Sequence, residues 1–359
     1  MAGSLAAAGT LSACGGGSNS GASATSTTAK GSTSTTTTTA AAPKTIKMSA
    51  SLIGLPPLAY ALWANVAKKE GYFTKLGLTM TFKYNGHGTT VAKMVVSNTV
   101  DITDTASTAN ATLIANGTPD VLVMGMNTED WQIGTDAPGV TSCKDLKGQT
   151  IGTDGTGNAR ELFVAAVLKS CGLTITDVTQ DNVASVPADM EKAAIAGQLH
   201  TAVFHVNELS QVQSQAKTKW ISVPVPKSVI DDAHYTSVMV SKSYLSSNRQ
   251  AVVRFVAAKI LAQSWIEAKK NLTALATLAS TLQGTTITVE KSSIAKWRAM
   301  TYWAPGLGLT KSNINGMVQT LVSITAIPKT KAPTYTQLVT TKVYNSALKL
   351  AKTINPTVK

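Results

Sequence analysis

Two successive runs of strand-like and helix-like pattern limit what this chain can fold into. The first begins after Pro43. Residues 45–51 alternate apolar and polar side chains as a half-buried strand does. Residues 58–70 have helical apolar spacing, and Gly71 is placed to close that helix. A strand over 78–84, a helix over 89–96, a strand over 100–103, a helix over 106–115 and a buried strand over 121–126 follow. A turn-rich stretch, 134–139, interrupts the series, and the pattern then restarts. Strands are expected over 149–153, 178–183, 202–204 and 220–223, with helices over 159–170, 188–196 and 207–217; Gly172 closes the first of these helices. Residues 236–241 read as a further strand. From 248 onward the chain reads as mostly helical, with Val252, Val256, Ile260, Leu261 and Trp265 on one apolar face. Short loops between alternating strands and helices mean βαβ units and parallel sheets. Two such series imply two α/β lobes with a helical tail. Ligands of open α/β sheets bind beyond the carboxyl ends of the strands, which puts a ligand in the cleft between lobes.

Composition narrows the function classes. Hydrophobic residues make up 43% and charged residues 14%, which excludes a disordered chain as a whole. Lys and Arg number 32 against 19 Asp and Glu, a formal charge of +13, yet only Arg160, Arg249, Arg254 and Arg298 are arginine. Nucleic-acid readers favour the arginine fork, so this lysine-rich balance points to a solvated basic surface facing anionic lipid or cell wall. No nucleic-acid partner is expected.

The first 44 residues differ from the rest. Residues 1–14 are small and apolar and end in Leu11-Ser12-Ala13-Cys14, which resembles the bacterial lipoprotein signal. That resemblance implies cleavage before Cys14, a diacylglycerol on its sulfur, and a lipid-anchored place on the outer face of the cell membrane. As a departure, no Lys or Arg precedes the apolar stretch. Residues 15–44 hold nine Thr, six Ser, six Ala and five Gly, too little apolar surface to offset the entropy of ordering them. They read as a tether. A lipid with a basic surface nearby satisfies the two-signal logic of stable anchoring.

Several stretches are similar to one family: 67–78 (AKKEGYFTKLGL), Val100-Asp-Ile102, Ala115-Asn-Gly117, Asp145-Leu-Lys-Gly-Gln-Thr-Ile151, Gly155-Thr-Gly157 opening a helix, and Ala193-Ala-Ile-Ala-Gly197. In this order and spacing they resemble the sulfonate/nitrate/taurine-type solute-binding proteins of ABC importers, a family that also includes binders of pyrimidine thiamine precursors. The resemblance covers about residues 45–270. It implies an α/β, two-lobed periplasmic-binding-protein-like fold of type II, with mixed sheets, flanking helices and a hinge. Lobe 1 is expected from 45–130 plus 240–359 and lobe 2 from 131–239, with hinge strands near 127–134 and 236–241. It further implies a small polar organic or anionic ligand, an ABC permease as partner, a monomer, and no catalysis. Leu199-His200 and His205 depart from the family's usual residues, which bears on the substrate more than on the fold.

Candidate ligand contacts lie on the loops after strands. Leu55 and Pro56 form a stiff apolar wall; Trp63 behind it reads equally as core. Asn85, Gly86, His87 and Thr89 open one helix, and Thr105 and Ser107 open another. Asp154, Thr156, Gly157 and Asn158 form a glycine-rich turn at a helix start, where free N–H groups favour an anion or carbonyl oxygen. The same turn also reads as a plain capped helix, with Asn158 and Glu161 as a capping box. Arg160 either pairs with a nearby carboxylate or contacts ligand. Asp104 and Asp154 oppose a simple anion site: either they cap backbone, or the ligand carries amine or heteroaromatic donors. Trp131, His205 and Asn207 are then stacking and hydrogen-bonding candidates, with ordinary packing the alternative for Trp131. Arg160 replaces the third glycine of a dinucleotide fingerprint, and no Lys-Ser/Thr completes a phosphate loop. No paired histidine spacing suggests zinc. No cofactor and no metal are therefore expected.

Cys143 precedes a strand and Cys171 ends the helix that returns to the same edge, so the two are expected to form a disulfide, with buried free thiols as the alternative. Two other functions compete: an enzyme of cofactor biosynthesis using His87, His205 and Asp154 as an acid–base set, and a ligand-sensing ectodomain.

Overall fold

The computed structural model describes residues 44–54, 59–85, 87–126, 129–155, 159–183, 187–226, 229, 234–303 and 306–358. Among them no helix is long and apolar enough to cross a membrane. Cys14 and the tether lie outside the described residues.

The first sheet is built as the alternation predicts. Strand β1 (Ile46–Ile53) pairs in parallel with β2 (Leu78–Asn85) and β3 (Ile102–Ala106). Helix α1 (Leu62–Lys69) follows β1, and Gly71 turns the chain at φ 68°. Nothing lies within 4 Å of where a Cβ would stand there, so the backbone and not space demands glycine. The short α2 (Tyr72–Lys75) leads into β2; α3 (Gly88–Val96) joins β2 to β3, and α4 (Ser107–Ala115) leads to β4 (Asp120–Gly125). The sheet order is β2-β1-β3-β10-β4, in which β10 (Thr236–Ser241) lies antiparallel to both neighbours.

The second sheet repeats this plan. Its order is β7-β6-β8-β5-β9. Strands β6 (Thr150–Gly152), β7 (Thr179–Asp181) and β8 (Thr201–His205) are parallel, joined through α5 (Ala159–Ser170) and α6 (Pro187–Ile195). Helix α7 (Val206–Gln215) leads from β8 to β9 (Ile221–Ser222). The antiparallel member is β5 (Trp131–Thr135), between β8 and β9. Sequence periodicity registers this segment only as a hinge, because Gly134 breaks its pattern. The glycine is required by crowding: a Cβ there would stand 2.6 Å from Leu209 and 2.9 Å from Phe204.

Strand β5 comes directly from β4 of the first sheet, and β10 follows β9 of the second. Each sheet therefore takes its antiparallel strand from the chain crossing between the two. The crossings touch, since Met126 N–H donates to the Thr236 carbonyl at 3.1 Å.

The tail packs against the first sheet and its helices. Helix Arg249–Glu267 is buried along most of its length, and the Leu122–Val339 bridge brings the C-terminal segment back to β4. Within the apolar face expected of that helix sits Lys259, fully buried, its ammonium bonded to Asp104. Trp63 is core: its indole N–H donates to the same carboxylate at 2.9 Å, and its ring meets Phe255 edge-on. The tail also reaches the second sheet's helices. Asn207 donates to Gln283 at 2.8 Å, and Lys296 to Ser210 at 2.9 Å.

His234 lies at the seam between β3, β4 and the tail. It donates from Nε2 to the Gly308 carbonyl, so its Nδ1 accepts from the Ser107 hydroxyl at 2.7 Å. Burial pushes its pKa down to about 4, with backbone acceptors resisting the shift. Between about 4 and the ordinary value near 6.5 the unfolded chain binds the proton and the folded one does not. Stability should therefore fall by roughly 3 kcal/mol as pH drops through that window. Urea titrations at pH 7 and pH 4.5 should show a smaller acid loss for His234→Gln than for the native chain; equal losses would remove His234 as the cause.

Cys143, in a 3-10 turn, and Cys171, just after α5, are joined by a disulfide with Cα atoms 6.2 Å apart, spanning 28 positions. Closing such a loop contributes about 3–4 kcal/mol in the chain-entropy account. The Cys143→Ser/Cys171→Ser double variant should melt several degrees lower. Reductant should lower the native melting temperature and leave the variant's unchanged.

Candidate functional site

The carboxyl end of the second sheet gathers most of the buried polar chemistry. The β5–β8 register sets Trp131 opposite His205, and their rings stack with centroids 3.7 Å apart. The Arg160 guanidinium, in the first turn of α5, lies over Trp131 at 4.7 Å. It donates to Glu208 at 3.0 and 3.3 Å and to the Val203 carbonyl at 3.1 Å. Arg160 is thus held by a carboxylate, and its cost at a helix start is met by that pair. Glu208 also caps α7, accepting the His205 backbone N–H at 2.8 Å. Asp130 accepts from His205 Nδ1 and from the Trp297 indole, each at 2.6 Å. This places the His205 proton on Nδ1.

Tyr60 and Tyr235 bring the first sheet's side to this cluster. Their rings lie 5.2 Å apart, and they stand 5.5 and 5.2 Å from His205. Burial raises both phenol pKa values, so both are neutral hydrogen-bonding groups. The Trp131 indole N–H is buried and has no hydrogen-bond partner among the described residues.

Of the residues singled out from the sequence, Trp131, Asp154 and His205 converge here. Asp154 is bonded by backbone N–H groups that include that of Arg160, so it caps α5; burial raises its pKa against the pull of Arg160. The others are engaged elsewhere. Asn207 turns to Gln283, while its side-chain oxygen has no partner among the described residues. Thr105 donates to the Gly88 carbonyl at 3.2 Å, and the Ser107 hydroxyl is taken by His234. Asn85 accepts the His87 backbone N–H at 2.9 Å, and His87 and Thr89 stand exposed at the start of α3. Leu55, Pro56, Gly86, Thr156, Gly157 and Asn158 lie outside the described residues.

Beside this cluster is a cavity of 470 Å³ between α5 and the helix Lys311–Ser323. Leu162, Phe163 and Met317 form apolar walls; Thr108 of α4, Glu129 and His234 supply polar groups. Glu129 is 5% exposed, and burial, then the nearby Asp130 and Asp154, raise its pKa well above the usual carboxyl range. The volume suits a small organic molecule. Among the described residues no group of three or more His, Cys, Asp or Glu is arranged to hold a metal ion.

Sequence reasoning passed over Tyr60, Glu129, Asp130, His234 and Tyr235. Two adjacent acids directly before a strand, Glu129-Asp130, were the available signal. Acids are rarely buried without a specific partner or task.

Comparison with known proteins fits this geometry. The structure resembles a protein from Bordetella bronchiseptica RB50 at TM-score 0.70 and 18% identity, covering 86% of this chain and 98% of that one. It resembles the alkanesulfonate-binding protein SsuA from Xanthomonas axonopodis pv. citri, solved with MOPS, at TM-score 0.66 and 13% identity over 82% and 98% of the two chains. The periplasmic nitrate-binding protein NrtA from Synechocystis PCC 6803 aligns at TM-score 0.65 and 12% identity over 89% and 92%. At such identities these likenesses establish the two-lobed periplasmic-binding-protein fold alone. A search of curated proteins finds no match. A family model described as NMT1/THI5 like matches residues 62–271, more than half of the 359-residue chain. The chain belongs to the NMT1/THI5-like family.

Proposed function

We propose that this chain is an extracytoplasmic solute-binding protein that captures a small molecule between two lobes and delivers it, unreacted, to an ABC importer. The observation that supports this most is the repeated sheet plan, 2-1-3-x-4 in both halves, with the antiparallel strand x supplied by the crossing chain. Two crossings that meet at Met126 and Thr236 make a hinge, and the starts of α4 and α5 border a cavity of molecular size. Closure follows when the closed state binds ligand better than the open one. One lobe would comprise 45–130 and 236–359 and the other 131–235, the expected boundary at 240 moving back because β10 pairs within the first sheet, with the tail helices that touch α7 riding across the boundary.

Trp131, His205, Asp154 and the cavity wall are the contacts assigned to ligand in this reading. Its neighbours' names, a sulfonate binder and a nitrate binder, favour transport over catalysis. The buried histidine and tyrosines are held by fixed partners, which suits recognition more than proton transfer. Cys14 would carry the lipid and residues 15–44 would tether the lobes to the membrane's outer face, beside the permease.

A thermal-shift screen of sulfonates, nitrate, amines, pyrimidines and amino acids tests the reading. A ligand at 100 times its Kd should stabilise by about 2.7 kcal/mol and be recovered chemically unchanged. Recovery of an altered compound would make the protein an enzyme. For the anchor, Cys14→Ser should abolish labelling by a fatty-acid tracer and release the protein from membranes; labelling that persists would remove Cys14 as the attachment point.

A further inference from the structure

We infer that the amino edge of the first sheet, with the outer side of the helix Lys342–Ile354, is a docking surface that seats the body on the anionic headgroups of a membrane. The inference goes beyond ligand capture and assigns the part of the molecule that meets the bilayer. It rests on the anchored reading of Cys14 for its setting, and its test is run without that lipid.

Charge is unevenly shared along the chain. Residues 131–235, which build the second sheet, hold eight Lys and Arg against eleven Asp and Glu. The remainder holds 24 against eight, so the whole basic excess lies outside the second sheet's half. From 291 to 359 there are nine Lys, one Arg and no Asp or Glu. Unbalanced charge of one sign opposes compaction through self-repulsion, and it attracts surfaces of the opposite sign.

The fold gathers part of this excess on one side. Lys44 stands just before β1, and Lys242 follows β10, whose last residue, Ser241, pairs with Asp120 at the start of β4. The helix Arg249–Glu267 begins at the same edge. Arg254 donates to the Lys44 carbonyl at 2.9 Å and to the Gly77 carbonyl, just before β2, at 3.3 Å. Arg249 donates to the Lys342 carbonyl at 3.2 Å and to the Ser346 hydroxyl at 3.4 Å, which joins this edge to the helix Lys342–Ile354. On that helix Lys342, Lys349 and Lys352 are spaced by about two turns and then one, so the three share a side. Val343, Tyr344, Ala347 and Ala351 are buried on the other.

The cations Lys44, Lys242, Arg249, Lys342, Lys349 and Lys352 are exposed, and among the described residues none has a carboxylate within 4.0 Å. The acids at this edge turn inward. Asp101 accepts the Ser49 backbone N–H at 2.7 Å and the Ser49 hydroxyl at 2.8 Å. Asp120, near enough to Lys242 for their charges to interact, is 1% exposed. A plane of anionic headgroups supplies the missing partners. The occupant is a membrane because the chain enters the body here: Lys44 is held by Arg254, and Cys14, the proposed lipid site, stands thirty residues upstream. Tyr60 follows β1 and Tyr235 precedes β10, at the opposite edge of the sheet. Headgroup contact therefore leaves the cluster they share with Trp131 and His205 uncovered.

The experiment is co-sedimentation of the full-length Cys14→Ser chain with vesicles of phosphatidylcholine, alone or with about one-third phosphatidylglycerol. At about 20 mM salt the chain should bind the anionic vesicles at least about tenfold more strongly than the neutral ones. Most of that binding should vanish at about 0.15 M salt, because a basic surface without its lipid is one signal of the two that stable anchoring takes. The triple variant Lys342→Glu/Lys349→Glu/Lys352→Glu should bind anionic vesicles about tenfold or more weakly with its melting temperature unchanged, each cation at the surface being worth about fivefold. Lys144→Glu/Lys217→Glu/Lys219→Glu, the same change of charge in the second sheet's half, should cost less than about threefold. Equal losses in the two triple variants, equal binding to both kinds of vesicle, or no binding to anionic vesicles at low salt overturns the inference. So does binding to soluble polyglutamate with none to vesicles. Fatty-acid labelling judges the anchor separately: binding by this surface without labelling of Cys14 upholds the inference and removes the anchor.

Discussion

The exchange of one strand between the two sheets governs the rest of the architecture. A strand that leaves one sheet and pairs in the middle of the next cannot slip without exposing its ladder on both sides. Strand β5 is held by β8 and β9, and β10 by β3 and β4, so each crossing is anchored at both ends. Between these anchors lie five residues, 126–130, in the first crossing and thirteen, 223–235, in the second. The same exchange sets Trp131 against His205 and Tyr235 next to β10, so the pairing that joins the halves also assembles the aromatic cluster between them.

Buried charge is handled by closed pairs. Lys259 sits beneath the first sheet against Asp104, where burial lowers its pKa and the carboxylate opposes that shift. Arg160 holds Glu208 under the second sheet, and Asp130 is shared by His205 and Trp297. Breaking any one pair by truncating a partner strands a charge in low dielectric, at a cost of about 3–5 kcal/mol.

Much of the fold was legible because period-2 and period-3.6 patterns are local. Strands β1, β2, β4 and β10 and helices α3, α4 and α5 fall within a residue or two of where periodicity put them. What could not be read was long-range pairing. Asp104 looked like an obstacle to ligand because its neutralising partner lies 155 positions away on a helix otherwise read as apolar. His205 was picked out as a polar contact just past a strand expected to end at 204; it is the last residue of β8, and its ring is enclosed by Tyr60, Trp131 and Tyr235 from three separate segments. The hydroxyls at helix starts, Thr105 and Ser107, were sound as local signals. Their tertiary partners, Gly88 and His234, decided what they do.

The pairing of β5 with β9 has a consequence for how such a molecule is put together. Gly134 faces Ser222, so the stretch between these strands enters and leaves its half at neighbouring points. It is a closed excursion of the polypeptide, stapled once internally by Cys143–Cys171 and tied to its host by adjacent ends. A segment threaded this way is built like an inserted module. Its rim can vary with little effect on the strands that join it to the body.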